Sequence, residues 1–196
     1  FGDAEKAERL YRAVLQTHPD DVRAHYMLGE TLFHFNGSRG RPVMQARKPL
    51  QRAMELDPSF TEPLLHLITL AVLDGDSARV DSLTGQVEEQ SFPPVIKTAY
   101  RTVRAYVLSD GPDPPLRRRL REGSTGAPML AAVCLWPGGH LQAASDLIAP
   151  LTSPERPEEM RAGMLTWQAG LRAAQGRFEA ARRTVQAVAP LDSAAY

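Results

Sequence analysis

Residues 19–58 read PDDVRAHYMLGETLFHFNGSRGRPVMQARKPLQRAMELDP, and this stretch decides the fold. Leu28, Gly29 and Leu32 recur at helical spacing and form one face of a helix that opens just after Pro19. The second half of the stretch is a copy of something earlier. Ala46, Leu50 and Pro58 reproduce the internal spacing of Ala7, Tyr11 and Pro19, and Leu67 follows Pro58 by the same nine residues that separate Leu28 from Pro19. A register kept through a helix, its turn and the next helix marks a repeated helix pair.

A second ruler runs further along the chain. Gly2, Gly75, Gly111, Gly139 and Gly176 are followed five residues later by Ala7, Val80, Leu116, Ala144 and Ala181. A tight turn between helices needs a residue that tolerates positive φ, and the next helix needs a small or apolar side chain where two backbones approach. Caps and breakers predict helices over 3–17, 21–34, 43–56, 60–73, 76–90, 94–109, 114–122, 127–136, 139–152, 157–175 and 177–189, and no strand. Pro42, Pro63, Pro94, Pro115, Pro128 and Pro157 fall near helix starts, where the missing amide donor costs little. The expected fold is all-α: an α-solenoid of about eleven helices in antiparallel pairs. It is expected as one repeat domain over 1–196, clearer over 1–90 and degenerate over 91–196.

Leu28-Gly29, followed by Ala46, Leu50, Ala53 and Pro58, resembles the tetratricopeptide pattern of Leu-Gly, Ala, a large apolar residue and Pro. The likeness is carried by residues 2–75. His25 stands where the family often has Trp, and the 39-residue spacing from Ala7 to Ala46 exceeds the family unit of about 34. The resemblance therefore implies intact helices joined by a longer loop, and a concave face that holds a protein or peptide. In the family, a clamp of Lys, Asn and Arg holds the terminal carboxylates of chaperone tails. Glu30 stands where that clamp has Asn, so chaperone binding is not carried over. The Arg- and Ala-rich composition with Pro-rich turns is also similar to repeat segments attached to bacterial serine/threonine kinases, nucleotide cyclases and transcription regulators.

Composition narrows the classes further. The 196 residues are 43% hydrophobic and 23% charged, sufficient for a globular core. Lys plus Arg and Asp plus Glu both number 23, so no net charge draws the chain to nucleic acid or an anionic membrane. The apolar runs Leu64–Leu73 and Ala127–Trp136 are about half the ~20 residues of a membrane helix, and His66 interrupts the first. No membrane insertion is expected. Cys134, the single cysteine, closes no internal disulfide and reads as a small core residue. Phe1 is not an initiator methionine and no basic-then-apolar leader precedes the first helix, so the chain reads as a segment of something longer. The cytoplasm is the favoured compartment, with the periplasm the alternative if the parent protein carries an upstream anchor.

Catalytic signatures do not emerge. The sequence holds no Gly-x-Ser-x-Gly elbow, no phosphate-binding Gly-rich loop with Lys, no His-Glu-x-x-His and no paired cysteines, so neither an enzyme nor a cofactor or small-molecule substrate is expected. His18, His25, His34, His66 and His140 are spread over different turns and helices, and no two have the i,i+4 spacing of a metal pair, so no metal is expected. Asp74, Asp76 and Asp81 around Gly75 fit helix capping rather than a calcium loop.

Binding candidates lie on helix faces. If Leu28, Gly29 and Leu32 pack inward, Tyr26, Glu30 and Phe33 form a separate stripe, extended by Arg23 and His34, with Glu62, Leu65, Thr69 and Val72 alongside on the next equivalent helix. The same stripe is open to a core reading, with Tyr26 and Phe33 packed against neighbouring repeats. Lys97, Arg101 and Arg104 make a basic stripe suited to acidic side chains, or a solvated helix face. Arg117, Arg118, Arg119 and Arg121 lack interleaved aromatics and read as solvated. Arg39 and Arg41 sit in an inserted, mobile Gly/Arg loop, a place for a specific contact or a harmless insertion. Asn36-Gly37-Ser38 is formally a glycosylation acceptor, of little weight without a secretory signal. The expected role is a partner-binding scaffold, homo-oligomeric or not; the rival is a structural appendage of a larger protein.

Overall fold

A computed structural model describes residues 2–123 and 125–192, which form eleven α-helices with no strand among them. The chain divides into two compact units, 1–74 and 75–196. The division falls where the tetratricopeptide-like pattern fades.

The first unit holds α1 (Gly2–Thr17), α2 (Val22–Phe35), α3 (Arg47–Leu56) and α4 (Glu62–Leu73). Asp21 caps α2 by accepting from the Ala24 amide at 2.7 Å. Ala24, Leu28 and Leu32 of α2 are buried, as are Ala46, Leu50 and Ala53 around α3. α2 and α3 approach closely at Gly29: a Cβ there would lie 2.5 Å from Leu50 Cγ. The Leu-Gly pair is thus a packing device, with the missing side chain making room for the leucine of the next helix.

Two predicted helices start or end differently. The stretch 43–56 opens as a 3₁₀ turn, Val43–Ala46, before α3 begins. Pro49 explains this, because its ring collides with the carbonyl four residues back in a regular α-helix, here that of Gln45. Pro150 has the same effect after α9, where Ala149–Thr152 tightens into 3₁₀.

The inserted loop folds on itself. Asn36 is fully buried; its carbonyl accepts the Arg39 and Arg41 amides at 3.0 and 2.9 Å, and its Nδ2 donates to Pro42 O and Gln45 Oε1, both at 3.1 Å. A side chain so enclosed offers nothing to a glycosyl donor, which removes the acceptor reading of Asn36. Gly40 turns the chain at φ 67°.

The second unit holds α5 (Ser77–Glu89), α6 (Pro94–Leu108), α7 (Pro114–Glu122), α8 (Gly126–Leu135), α9 (Leu141–Ile148), α10 (Glu158–Ala174) and α11 (Phe178–Asp192). Asp76 and Asp113 cap α5 and α7 through the Arg79 and Leu116 amides. Gly75, Gly111, Gly139 and Gly176 all adopt positive φ, as the glycine ruler requires. Val80, Ala144 and Ala181, five residues on, are buried. The core runs through Val87, Ala99, Val103, Ala131, Leu135 and Ile148. Cys134 is buried among them, its thiol 3.8 Å from the Tyr100 hydroxyl, and burial pushes the Tyr100 phenol well above its ordinary value. Trp136 meets Trp167 edge-on at 5.6 Å, and Gly170 leaves space for its ring.

No described helix is long and apolar enough to cross a membrane.

Candidate functional site

The stripe predicted on α2 meets α4. Tyr26 is half-buried and takes the edge of Phe60 at 5.1 Å; burial and the Glu30 carboxylate one turn on push its phenol up to about 12. Phe33 is also half-buried and lies against two imidazoles, His34 at 5.1 Å and His66 at 4.5 Å between ring centroids. The two aromatics therefore belong neither to a sealed core nor to an open groove.

Between them sits a cluster absent from the sequence reading. Glu30 and His34 are one turn apart on α2, and His66 comes across from α4. His66 Nε2 lies 3.0 Å from Glu30 Oε1 and 3.3 Å from His34 Nε2, while His34 Nε2 lies 3.6 Å from Glu30 Oε2. The contact with Oε1 lacks hydrogen-bond alignment, and Oε1 is buried without a hydrogen bond. Burial pushes the His66 imidazole below its ordinary value against the opposing pull of Glu30, with His34 adding to the downward push. His34 is half-exposed at 52%, so one side of the cluster is open to solvent. Three polar groups converge from two helices over a patch walled by aromatic rings.

The remaining candidates separate by their surroundings. Arg23 is exposed beside this patch and Leu65 is half-buried. Thr69 and Val72 are buried rather than lining a groove, and the Thr69 hydroxyl donates to the Leu65 carbonyl at 3.2 Å. The inserted loop turns back onto α1: Arg39 is almost wholly covered, its Nη1 2.9 Å from Glu8 Oε2, and Arg41 reaches the same oxygen at 3.1 Å. Arg12 holds the other Glu8 oxygen at 2.8 Å. Burial raises the Glu8 carboxyl, but Arg39 and Arg12 outweigh it and hold the carboxyl below its usual value.

The basic stripe in the second unit is matched by carboxylates of α5. Lys97 donates to the Glu88 carbonyl at 2.7 Å, Arg101 forks onto the Glu88 carboxylate, and Arg104 donates to Asp81 at 2.6 Å. Its charge is spent inside the unit, which weakens the expectation of a free cationic face.

His66 and Phe60 are the residues that sequence reasoning passed over. His66 had a signal: it is the one polar ring in the apolar run Leu64–Leu73. Its nearness to Glu30 and His34 had none, since 32 residues separate the two histidines.

Compared with known proteins, the chain matches no family model and no curated sequence.

Proposed function

We propose that this chain is a protein-interaction module of tetratricopeptide-like character, built as a helical solenoid, whose α2–α4 face in the first unit receives an extended or helical segment of a partner. The observation that carries the reading is the half-buried pair Tyr26 and Phe33, flanking a polar cluster that is only partly satisfied by the protein itself. Aromatic side chains with one face covered lose little entropy on binding and concentrate binding energy in few contacts. The polar groups between them supply direction and register. The role is non-enzymatic, in keeping with a sequence that carries none of the catalytic signatures sought above.

The test is capture of partner by the 196-residue chain, compared with Tyr26→Ala and Phe33→Ala. Each truncation is expected to weaken capture by about 1–3 kcal/mol, the range of an interface anchor, with the helical circular-dichroism signal retained. Loss of the helical signal would instead assign both rings to the fold.

A second reading rests on a separate observation. The first and last helices in chain order carry exposed apolar pairs, Leu10 and Val14 on α1 and Phe178 and Val185 on α11. In this reading the module packs against further copies of itself or against the rest of a larger regulatory protein. Light scattering decides between them: a monomer that still captures partner excludes self-association.

A further inference from the structure

We propose that Glu30, His34 and His66 form a binding site for a divalent transition metal, with zinc the best fit. The three donor groups reach one point from two helices, each offering a ligand atom within 4.8 Å of the others. At metal–ligand distances of about 2.0–2.1 Å, a tetrahedral ion holds its donors about 3.3–3.4 Å apart. His66 Nε2 lies near that edge length from both partners, 3.0 Å from Glu30 Oε1 and 3.3 Å from His34 Nε2, while His34 Nε2 lies 3.6 Å from the other carboxylate oxygen, Oε2.

The bonding within the cluster leaves a role for an ion. Two imidazole nitrogens face each other at 3.3 Å, an arrangement in which one must carry a proton and the other a lone pair. Glu30 Oε1 is buried with no hydrogen bond, although a nitrogen lies 3.0 Å away. A buried carboxylate oxygen left in this state costs free energy. A cation between the three groups uses both nitrogen lone pairs and the carboxylate oxygen together, and removes the need for a proton between the rings.

The donor set also selects the ion. Two imidazoles with one carboxylate suit zinc and its first-row neighbours, whereas magnesium and calcium prefer oxygen alone. Phe33 walls the site beside both imidazoles, and His34 stands at its open edge. That edge leaves a fourth position for water or for a donor from outside. The site stands on its own geometry and does not depend on the partner reading.

The experiment is a chelator-competition titration of the untagged 196-residue chain with Zn²⁺, with Mg²⁺ as the comparison. One equivalent of Zn²⁺ is expected to bind saturably, with no response to Mg²⁺. His34→Ala removes a half-exposed ring, and is expected to weaken Zn²⁺ at least about 100-fold, since losing even a supporting partner of a ligand costs 10–100-fold. Glu30→Gln is expected to weaken it in the same direction. Zn²⁺ should move the ring NMR signals of His34 and His66 together and leave those of His18, His25 and His140 in place, a readout that survives if His66→Ala fails to fold. Absence of saturable Zn²⁺ binding, an unchanged affinity in folded His34→Ala, or shifts confined to the other histidines would overturn the site.

Discussion

The first unit covers some of its charged and ionisable groups, whereas the ion pairs of the second lie at its surface. Arg39 and Glu8 have side chains only 6% and 10% exposed, and His66 and Glu30 only 18% and 22%. In the second unit Arg101 and Glu88 are 42% and 34% exposed, and Arg104 and Asp81 54% and 49%. In each pair the partners come from different elements, so the difference lies in how far the neighbouring helix covers them. At the surface an ion pair forms and breaks at little cost because water competes on equal terms. Under cover, each group is held to its partners by what it would lose alone. Among the covered groups Glu8 is held by Arg12, Arg39 and Arg41, whereas Glu30 keeps a buried oxygen without a hydrogen bond.

The widest gap between the two regimes should appear at Glu8. Glu8→Ala strands the covered Arg39 guanidinium and is expected to destabilise the chain by about 3 kcal/mol in urea denaturation, the low end for breaking a buried pair. The low end applies because Glu5 lies 3.6 Å from the same guanidinium and takes up part of the charge. A loss below 1 kcal/mol would place the Glu8 cluster with the surface pairs and erase the contrast.

A pH series sharpens the same point. The folded Glu8 carboxyl is held below its usual value, so its stabilising contribution is fully present above the ordinary glutamate range. It is lost as pH falls from that range through the lowered folded value, because protonation there breaks the contacts with Arg39 and Arg12. Glu8→Gln should therefore lower stability at neutral pH and flatten its decline on acidification, read as a shallower acid limb of melting temperature against pH.

The smallest effect is expected in the second unit. A double-mutant cycle on Glu88→Ala and Arg101→Ala should give a coupling of about 0.2–1 kcal/mol, shrinking as salt is raised. A larger, salt-insensitive coupling would show that the α5–α6 face is structurally tied rather than merely neutralised.

Much of the helical layout was legible because its signals are local. The turn glycines at 75, 111, 139 and 176 required positive φ and have it, and Leu28-Gly29 marked the packed face of α2. Caps such as Asp21 and Asp76 act within one turn of themselves. The breaks at Pro49 and Pro150 were also written in the chain, although the predicted helices ran through them. The candidate site was half legible. Tyr26, Glu30, Phe33 and His34 share a stripe on one helix and follow from its 3.6-residue period. His66 and Phe60 join them from elsewhere in the chain.

What the sequence determined by itself was the set of helices, their turns and which face of each is apolar, because propensity, capping and periodicity act over a few residues. Only the tertiary structure decided which side chains from different helices meet. It spent the basic stripe of Lys97, Arg101 and Arg104 on Glu88 and Asp81, and the loop arginines Arg39 and Arg41 on Glu8. It also brought His66 to Glu30 and His34, which are far apart along the chain. The reason is physical: such contacts depend on how two helices are rotated and offset against each other, and that is set by packing at residues such as Gly29 and Leu50 rather than by the side chains that come to touch.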